Sequence, residues 1–306
     1  MTEFREASVA DRDAILALRK RCFPDEDLEK QEPRYWDWEF GHGRMFVADA
    51  GDRLAAHLGF FPQRWIISHQ SVDGMLAVDA MTDPDFRRKG IFQRVAALAA
   101  ETLRGDVGLS TAFQIRDAVL PPMQSNGWNP VLRAPVLVKM LTITQPKTPG
   151  PWEGEALPDP EQLASIGEQF LGRVAHVFRD AAQLRWRFYE NPASYVIDAN
   201  EVAYVVTRRT RLRGYDTVAI VDLAWRPGHV RDGRLLLSQV LARARAAGVH
   251  LAAALLTLSH PAMPAVVRTG FLPSPHRFRF LLNVFDERLQ LARTRWALSW
   301  ADTDHL

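Results

Sequence analysis

"MTDPDFRRKGIFQ", Met81–Gln93, sets three consecutive cations and a glycine between an apolar run, "GMLAVDA", and a long Ala/Leu-rich amphipathic segment. Pro84 ends the apolar run as a strand would end, and Gly90 opens the amphipathic stretch as a helix. Positive charge at a helix start opposes the helix dipole. Arg87, Arg88 and Lys89 therefore need a compensating anion, or else they form a solvated surface turn. The amides of Gly90, Ile91, Phe92 and Gln93 lack intrahelical partners at such a start. They form an anion site together with the dipole, and Gly90 lets a ligand approach the backbone. A polyanion such as a pyrophosphate satisfies the amides and the cations together.

A second stretch, "LAWRPGHVRDGRL" at 223–235, repeats the first in outline. Pro84 and Pro227 are 143 residues apart (227 − 84), and so are Gly90 and Gly233, and Gly127 and Gly270. "YWDWEF" and "LRWRFY" form a further pair, offset by 150 (186 − 36). A constant offset over several positions points to two copies of one fold, against a single large domain with coincidental spacing.

The elements follow the same division. Residues 4–7 read as a strand, 8–23 as a helix with Ile15, Leu18 and Cys22 on one face, and 44–61 as a hairpin. A strand is expected over 74–82, a helix over 89–104, a strand over 107–115, a short helix over 120–128 and a strand over 135–144. After "TQPKTPGPWEGEALPDPE" come a helix at 161–171, a hairpin at 194–208, a strand at 217–225, a helix at 233–248, and strands at 250–258 and 277–285. Strands alternating with helices imply an α/β fold with a mixed sheet. The expected domains are 1–144 and 162–289, joined by a Pro/Gly-rich linker at 145–161 and followed by a tail at 290–306. The tail carries Trp296 and Trp300 before Asp302, Asp304 and His305; it either docks over a cleft or frays.

Composition is that of an ordinary globular chain, 306 residues with 47% hydrophobic and 24% charged, and a formal net charge of +2. No global basic field favours nucleic acid or an anionic membrane as partner. Cys22 is the one cysteine, so no internal disulfide forms. No apolar run reaches the length of a membrane span, and the N-terminus lacks a signal pattern, so a cytoplasmic protein is expected. No His, Cys or carboxylate spacing suits a metal, and none is expected.

"VDAMTDPDFRRKGIFQRV" resembles motif A of the GNAT N-acetyltransferase superfamily, with Phe92 where Gly or Ala is usual, and "SNGWNPV" is similar to the Gly-Phe element of motif B. The resemblance covers residues 4–144 and, more faintly, 162–286, as a tandem pair of GNAT-like domains. It implies acetyl-CoA, or another acyl-CoA, as co-substrate. The backbone of Met81 and Thr82 would pair with pantetheine, and the amides from Arg88 to Gln93 would hold the pyrophosphate. The acyl group would pass directly to a small-molecule or peptide amine in a ternary complex, in a monomer or homodimer. In the second copy Val230 and Asp232 replace Arg87 and Lys89, so that copy is expected to be degenerate, a scaffold or acceptor-site wall.

Direct transfer needs a neutral amine and a proton for the leaving thiolate. The tyrosine that many relatives place four residues before the motif B glycine is Met123 here. Asp79 is the candidate base, although Asp222 occupies the same place in the other copy and suggests a structural role for both. Asp73 reads as turn chemistry. Glu32, Tyr35, Arg116 and Asp117 are candidate acceptor-site residues; Trp36 and Trp38 suit core positions, and His57 and His69 suit packing or surface. The competing reading is a non-catalytic acyl-CoA-binding sensor built from a degenerate pair.

Overall fold

The computed structural model describes residues 2–114, 116–142, 152, 157–212, 214–291 and 293–305. The chain forms two compact units that interleave along the sequence. The first contains 1–65, 71–132 and 279–292; the second contains 66–70, 133–278 and 293–306. The sequence-expected linker at 145–161 lies mostly outside the described residues.

In the first unit, strands β1 (Glu3–Glu6), β2 (Arg44–Asp49), β3 (Leu54–Ile67), β4 (Gln70–Thr82) and β5 (Leu109–Gln114) are successive neighbours. β1 and β2 pair antiparallel, as do β2 and β3. β4 and β5 pair parallel, with Gly74–Ala77 opposite Leu109–Ala112. Helices α1 (Arg12–Cys22), α2 (Pro33–Phe40), α3 (Ile91–Leu103) and the short α4 (Leu120–Gln124) accompany this sheet. α3 buries Val95, Ala96, Ala99 and Leu103 with Phe46, Phe60, Met123 and Trp128 in one core. Small alanines on the buried face let the helix backbone come close to the sheet.

The second unit repeats the scheme. β8 (Val196–Ala199), β9 (Ala203–Leu212) and β10 (Tyr215–Trp225) pair antiparallel. Thr217–Ile220 of β10 then runs parallel to Leu251–Ala254 of β11 (Leu251–Leu255). The parallel segments start 143 residues apart (217 − 74), the offset of the prolines and glycines. Helices α5 (Pro160–Leu171), α6 (Ala181–Leu184, followed by a π-turn at Arg185–Tyr189), α7 (Val230–Ala246) and α8 (Met263–Arg268) belong to this unit, as does the two-residue β7 (His176–Val177). Each unit is thus a mixed, mostly antiparallel sheet with flanking helices, the expected fold class.

The interleaving comes from two long strands. β6 (Asn129–Met140) leaves the first unit after Leu132 and pairs antiparallel with β11. β12 (Leu272–Val284) leaves the second after Phe278, and Arg279–Val284 pairs antiparallel with β5. Each sheet is therefore completed by the last strand of the other sequence half. Asn283 fixes the arrangement in the first unit, donating from Nδ2 to the Asn126 carbonyl (2.9 Å) beside Gly127. A Cβ at Gly127 would lie 2.6 Å from the Asn283 side chain, and the φ of +99° also favours glycine there.

Two local readings differ from the structure. Asp73 lies within β4; the chain reverses earlier, at Ser68 and His69, both with positive φ (49° and 67°), the geometry of a two-residue hairpin turn. Helix α7 begins at Val230 and takes in Gly233, which the sequence places at the helix start.

The tail is an integral part of the second unit. Trp296, Ala297, Leu298 and Trp300 are buried. Thr257 Oγ1 accepts from the Leu298 amide (3.0 Å), and Ser299 and Asp302 form a capping box on the last turn. Asp302 pairs with buried Arg179 (2.9 Å), and Arg187 donates to the Thr303 carbonyl (2.8 Å). Docking of the two tryptophans outweighs fraying.

Candidate functional site

The turn before α3 is built by its own sequence. Asp83 is buried and caps the 3-10 turn Pro84–Phe86 by accepting from the Asp85 amide (3.1 Å). It also pairs with Arg21 (2.6 Å) and, more loosely, with Arg53 (3.8 Å), and its amide donates to the Ala55 carbonyl (2.9 Å). Arg88 (φ 62°) and Gly90 (φ 72°) then take left-handed conformations, and Gly90 caps α3. The first intrahelical bond runs from Arg94 N–H to the Gly90 carbonyl (3.2 Å), so Ile91, Phe92 and Gln93 have no intrahelical acceptor for their amides. A Cβ at Gly90 would meet nothing within 4 Å. The approach to those amides is open.

Two of the three cations are held by neutral atoms. Arg87 donates to the Thr82 carbonyl (3.2 Å), and Lys89 donates to the Asp85 carbonyl (2.8 Å) while lying over the Phe86 ring. No carboxylate among the described residues pairs with Arg87, Arg88 or Lys89, and all three are exposed. Arg53 instead takes the nearby Asp85 (2.7 Å). Positive charge is thus left unneutralised beside free amides, a combination suited to a polyanion.

The second unit lacks this arrangement. His229 and Asp232 pair with each other (2.9 Å) at the start of α7. Gly233 is buried inside the helix, and a Cβ there would lie 2.3 Å from the Trp225 ring. Its retention at the 143-residue offset reflects close helix–strand packing. Gly233→Ala should therefore destabilise the chain: overpacking costs about 1–3 kcal/mol, more than the roughly 1 kcal/mol that alanine gains over glycine in a helix. A thermal melt measures it; an undiminished Tm would sink the packing role.

Ahead of the turn, the parallel register of β4 with β5 ends at Ala77–Ala112. Two residues later Asp79 adopts a φ of +47°, the left-handed region, inside a strand. Its side chain forms a buried ion pair with Arg19, and its carbonyl accepts from Nδ1 of His57 (2.9 Å). Burial alone would raise the Asp79 carboxyl; Arg19, with Lys30 adding, outweighs it and holds the group well below the usual carboxylate range. Lys30 and Glu39 form a second buried pair (3.3 Å). Asp222, at the matching place in β10, is likewise bound by a buried arginine, Arg179 (2.9 Å), and by Tyr204 (3.0 Å). The carboxylate–arginine pair is common to both units. The left-handed backbone belongs to Asp79 alone of the two.

The expected acceptor residues divide. Tyr35 is buried beneath Lys30, whose Nζ lies 5.7 Å from the ring centre. Glu32 is exposed at the start of α2. Arg116 pairs with Glu26 and lies over the Phe23 ring, and Asp117 pairs with Arg279 (2.5 Å). Met81 is buried and Thr82 half-buried at the end of β4. Trp36 is core. Met123 is fully buried in the α3 core and brings no titratable group. Burial pushes the Cys22 thiol up, against the pull of Arg87, so it is not an activated nucleophile. Among the described residues, no group of three or more His, Cys, Asp or Glu side chains could hold a metal, and no helix is long and apolar enough to cross a membrane; the latter says nothing of a β-barrel.

Arg19 and Lys30 were not singled out from the sequence; Glu39 was expected with Glu32, Tyr35 and Asp37 on the acceptor side and is instead buried against Lys30, and His57 was expected only to pack. Arg19 left a readable trace: it lies on the apolar stripe of Ile15, Leu18 and Cys22, where a charge needs a buried partner. His57 left none beyond being a histidine in a strand.

The sequence model of the acetyltransferase (GNAT) domain matches residues 3–115, which hold the kinked strand, the cationic turn and α3. Those residues are a GNAT domain. No curated protein matches the sequence. Among solved structures, a probable N-acyltransferase from Enterococcus faecalis is similar over 94% of this chain and 73% of its own, with TM-score 0.67 and 11% identity. A GCN5-related N-acetyltransferase from Anabaena variabilis is similar over 93% and 73%, with TM-score 0.66 and 12% identity. N-myristoyltransferase from Saccharomyces cerevisiae, solved with bound myristoyl-CoA, is similar over 96% and 84%, with TM-score 0.63 and 11% identity. At these identities the likeness concerns the fold, which extends beyond the GNAT domain to the second unit.

Proposed function

We propose that the chain is an acyl-CoA-dependent N-acyltransferase, most simply an acetyltransferase, whose GNAT domain binds the co-substrate. One observation carries the reading: three cations without carboxylate partners stand before the open amides of α3, directly after a strand that diverges from its parallel neighbour. The pyrophosphate would lie on Arg88–Gln93 between Arg87 and Lys89, and the pantetheine arm along Met81 and Thr82, where β4 has no β5 partner.

The amine attacks the thioester carbonyl, a C–N bond forms and the C–S bond breaks. The amine's proton passes to water. The departing thiolate, of pKa about 8.5, takes a proton from water. Asp79 is a poor proton acceptor while Arg19 neutralises it, and Met123 cannot donate a proton. Glu32, Tyr35, Arg116 and Asp117 are proposed to border a small-molecule or peptide amine. The same two observations on Asp79 and Met123 favour a second reading, a sensor that binds acyl-CoA without turnover.

Thermal shift with acetyl-CoA and with a long-chain acyl-CoA, then free-thiol release over an amine library, separates these readings. The enzyme should be stabilised and should release thiol with at least one amine. Stabilisation without thiol release on any amine would favour the sensor. No stabilisation by either ligand would sink both.

A further inference from the structure

Asp79 is a non-glycine residue in a left-handed conformation in the middle of a strand, and such conformations persist only where the surroundings over-determine them. Two side chains do so here. Arg19 holds the carboxylate from α1, sixty residues earlier in sequence, and is itself almost fully buried. His57 holds the carbonyl from β3. A carbonyl can only accept, so His57 carries a proton on Nδ1; burial pushes the imidazole pKa down and keeps the ring neutral, with Nε2 buried without a hydrogen-bond partner. The ring cannot swing away. Phe40 packs edge-on against it, with centroids 5.7 Å apart. Gly59 makes room for that contact, since a Cβ there would lie 2.4 Å from Phe40 and 3.1 Å from His57. The Lys30–Glu39 pair balances the charges around Arg19 and Asp79.

The second unit supplies an internal control. Asp222 has its own arginine, and β10 has a register shift between Ile220 and Asp222, yet Asp222 is not left-handed. An ion pair at this position is therefore not enough for the kink, which in the first unit has the His57 bond to the Asp79 carbonyl in addition. The strained backbone occurs in the unit that also carries the cationic turn.

We infer that His57 and Arg19 are positioning residues that lock the kink at Asp79, so that the backbone from Ala80 to Thr82 is aimed at the thioester end of an acyl-CoA. The inference rests on the acyltransferase reading. His57 never touches the acyl group; it acts through the Asp79 carbonyl. The lock matters at the thioester and not at the pyrophosphate, because the turn that leads into Arg88–Gln93 has its own support, Asp83 capping Pro84–Phe86 and pairing with Arg21.

Two variants at His57 test this. His57→Phe keeps a ring against Phe40 and removes the donor. His57→Asn places a side-chain N–H near the position of Nδ1 and restores it. Expected for His57→Phe are a Kd for desacetyl CoA within twofold of the parent, a loss of any preference for acetyl-CoA over CoA, and a kcat lowered 10- to 100-fold at little-changed KM. His57→Asn should recover most of the preference and the rate. A folded His57→Phe variant with parental kcat and acetyl-CoA preference would overturn the inference. So would a His57→Asn variant as impaired as His57→Phe. If the parent chain neither binds CoA nor releases thiol, the acyltransferase reading has failed. The lock is then judged on the Asp79 backbone 13C shifts alone, which should move toward extended values in His57→Phe and would refute it by staying put.

Discussion

Gly90→Asp should abolish CoA binding while leaving the chain folded. The position is open, with nothing within 4 Å of a Cβ, so no overpacking follows. The backbone cost at φ 72° is about 1–2 kcal/mol for an L-residue, and aspartate tolerates this region better than most. Aspartate is also a favoured N-cap, which offsets part of that cost by accepting from the amides of α3. Those are the amides proposed for the pyrophosphate. The substitution therefore occupies the donors and puts a carboxylate beside a polyanion. Two unit charges 4 Å apart repel by about 4 kcal/mol at an effective dielectric of 20, close to a thousandfold in Kd. Gly90→Ala carries the backbone cost without the charge, and should stay within about tenfold of the parent. Isothermal titration with CoA measures both. An unchanged Kd in Gly90→Asp, with a normal melt, would remove the phosphate site from α3.

The contrast between the units shows what kind of information the sequence held. The cationic turn was legible because it is local: strand, proline, charges, glycine and helix follow within twenty residues, and each leaves a mark. The repeat was legible because the same marks recur at one offset. The strand exchange was not, because nothing local distinguishes a last strand that pairs at home from one that pairs across. β6 and β12 read as strands in either case, and only the partners of Val136–Met140 and Arg279–Val284 decide. Gly233 shows the limit of reading by analogy. It matches Gly90 in sequence, but Gly90 is there for its backbone angle and open approach, whereas Gly233 is there for the Trp225 ring. The lock on Asp79 joins residues 19, 57 and 79, and no spacing rule links them.

Acid should weaken the second unit well before its carboxylates titrate. His260 is fully buried, with Arg179 and His176 as charged or titratable neighbours and Phe170 against its ring; burial first, then those charges, push it down to about 3. His176 is pushed down to about 4 by burial, with Arg179 adding and the Val174 carbonyl opposing. Both are neutral in the fold and take up protons once unfolded, near pH 6.5. Between that value and their folded values the unfolded chain binds more protons, so stability falls as pH falls. At pH 5.0 each histidine has lost about 2 kcal/mol, at 1.36 kcal/mol per unit below 6.5, and the pair together about 4 kcal/mol. Burial raises the Asp302 carboxyl, which works in the opposite direction, while depressed carboxylates such as Asp216 matter only below about pH 4. The histidine effect therefore dominates from pH 7.5 to 5.0. Urea unfolding at the two values should show the loss, read from a probe in the second unit such as Trp296. His260→Asn keeps an acceptor for the Ala262 amide, which His260 Nδ1 now serves at 3.2 Å, and removes the titration. It should lower the midpoint at pH 7.5 through the smaller side chain, yet roughly halve the further fall at pH 5.0. A parental pH slope in that variant would show that His260 is not among the groups that set it.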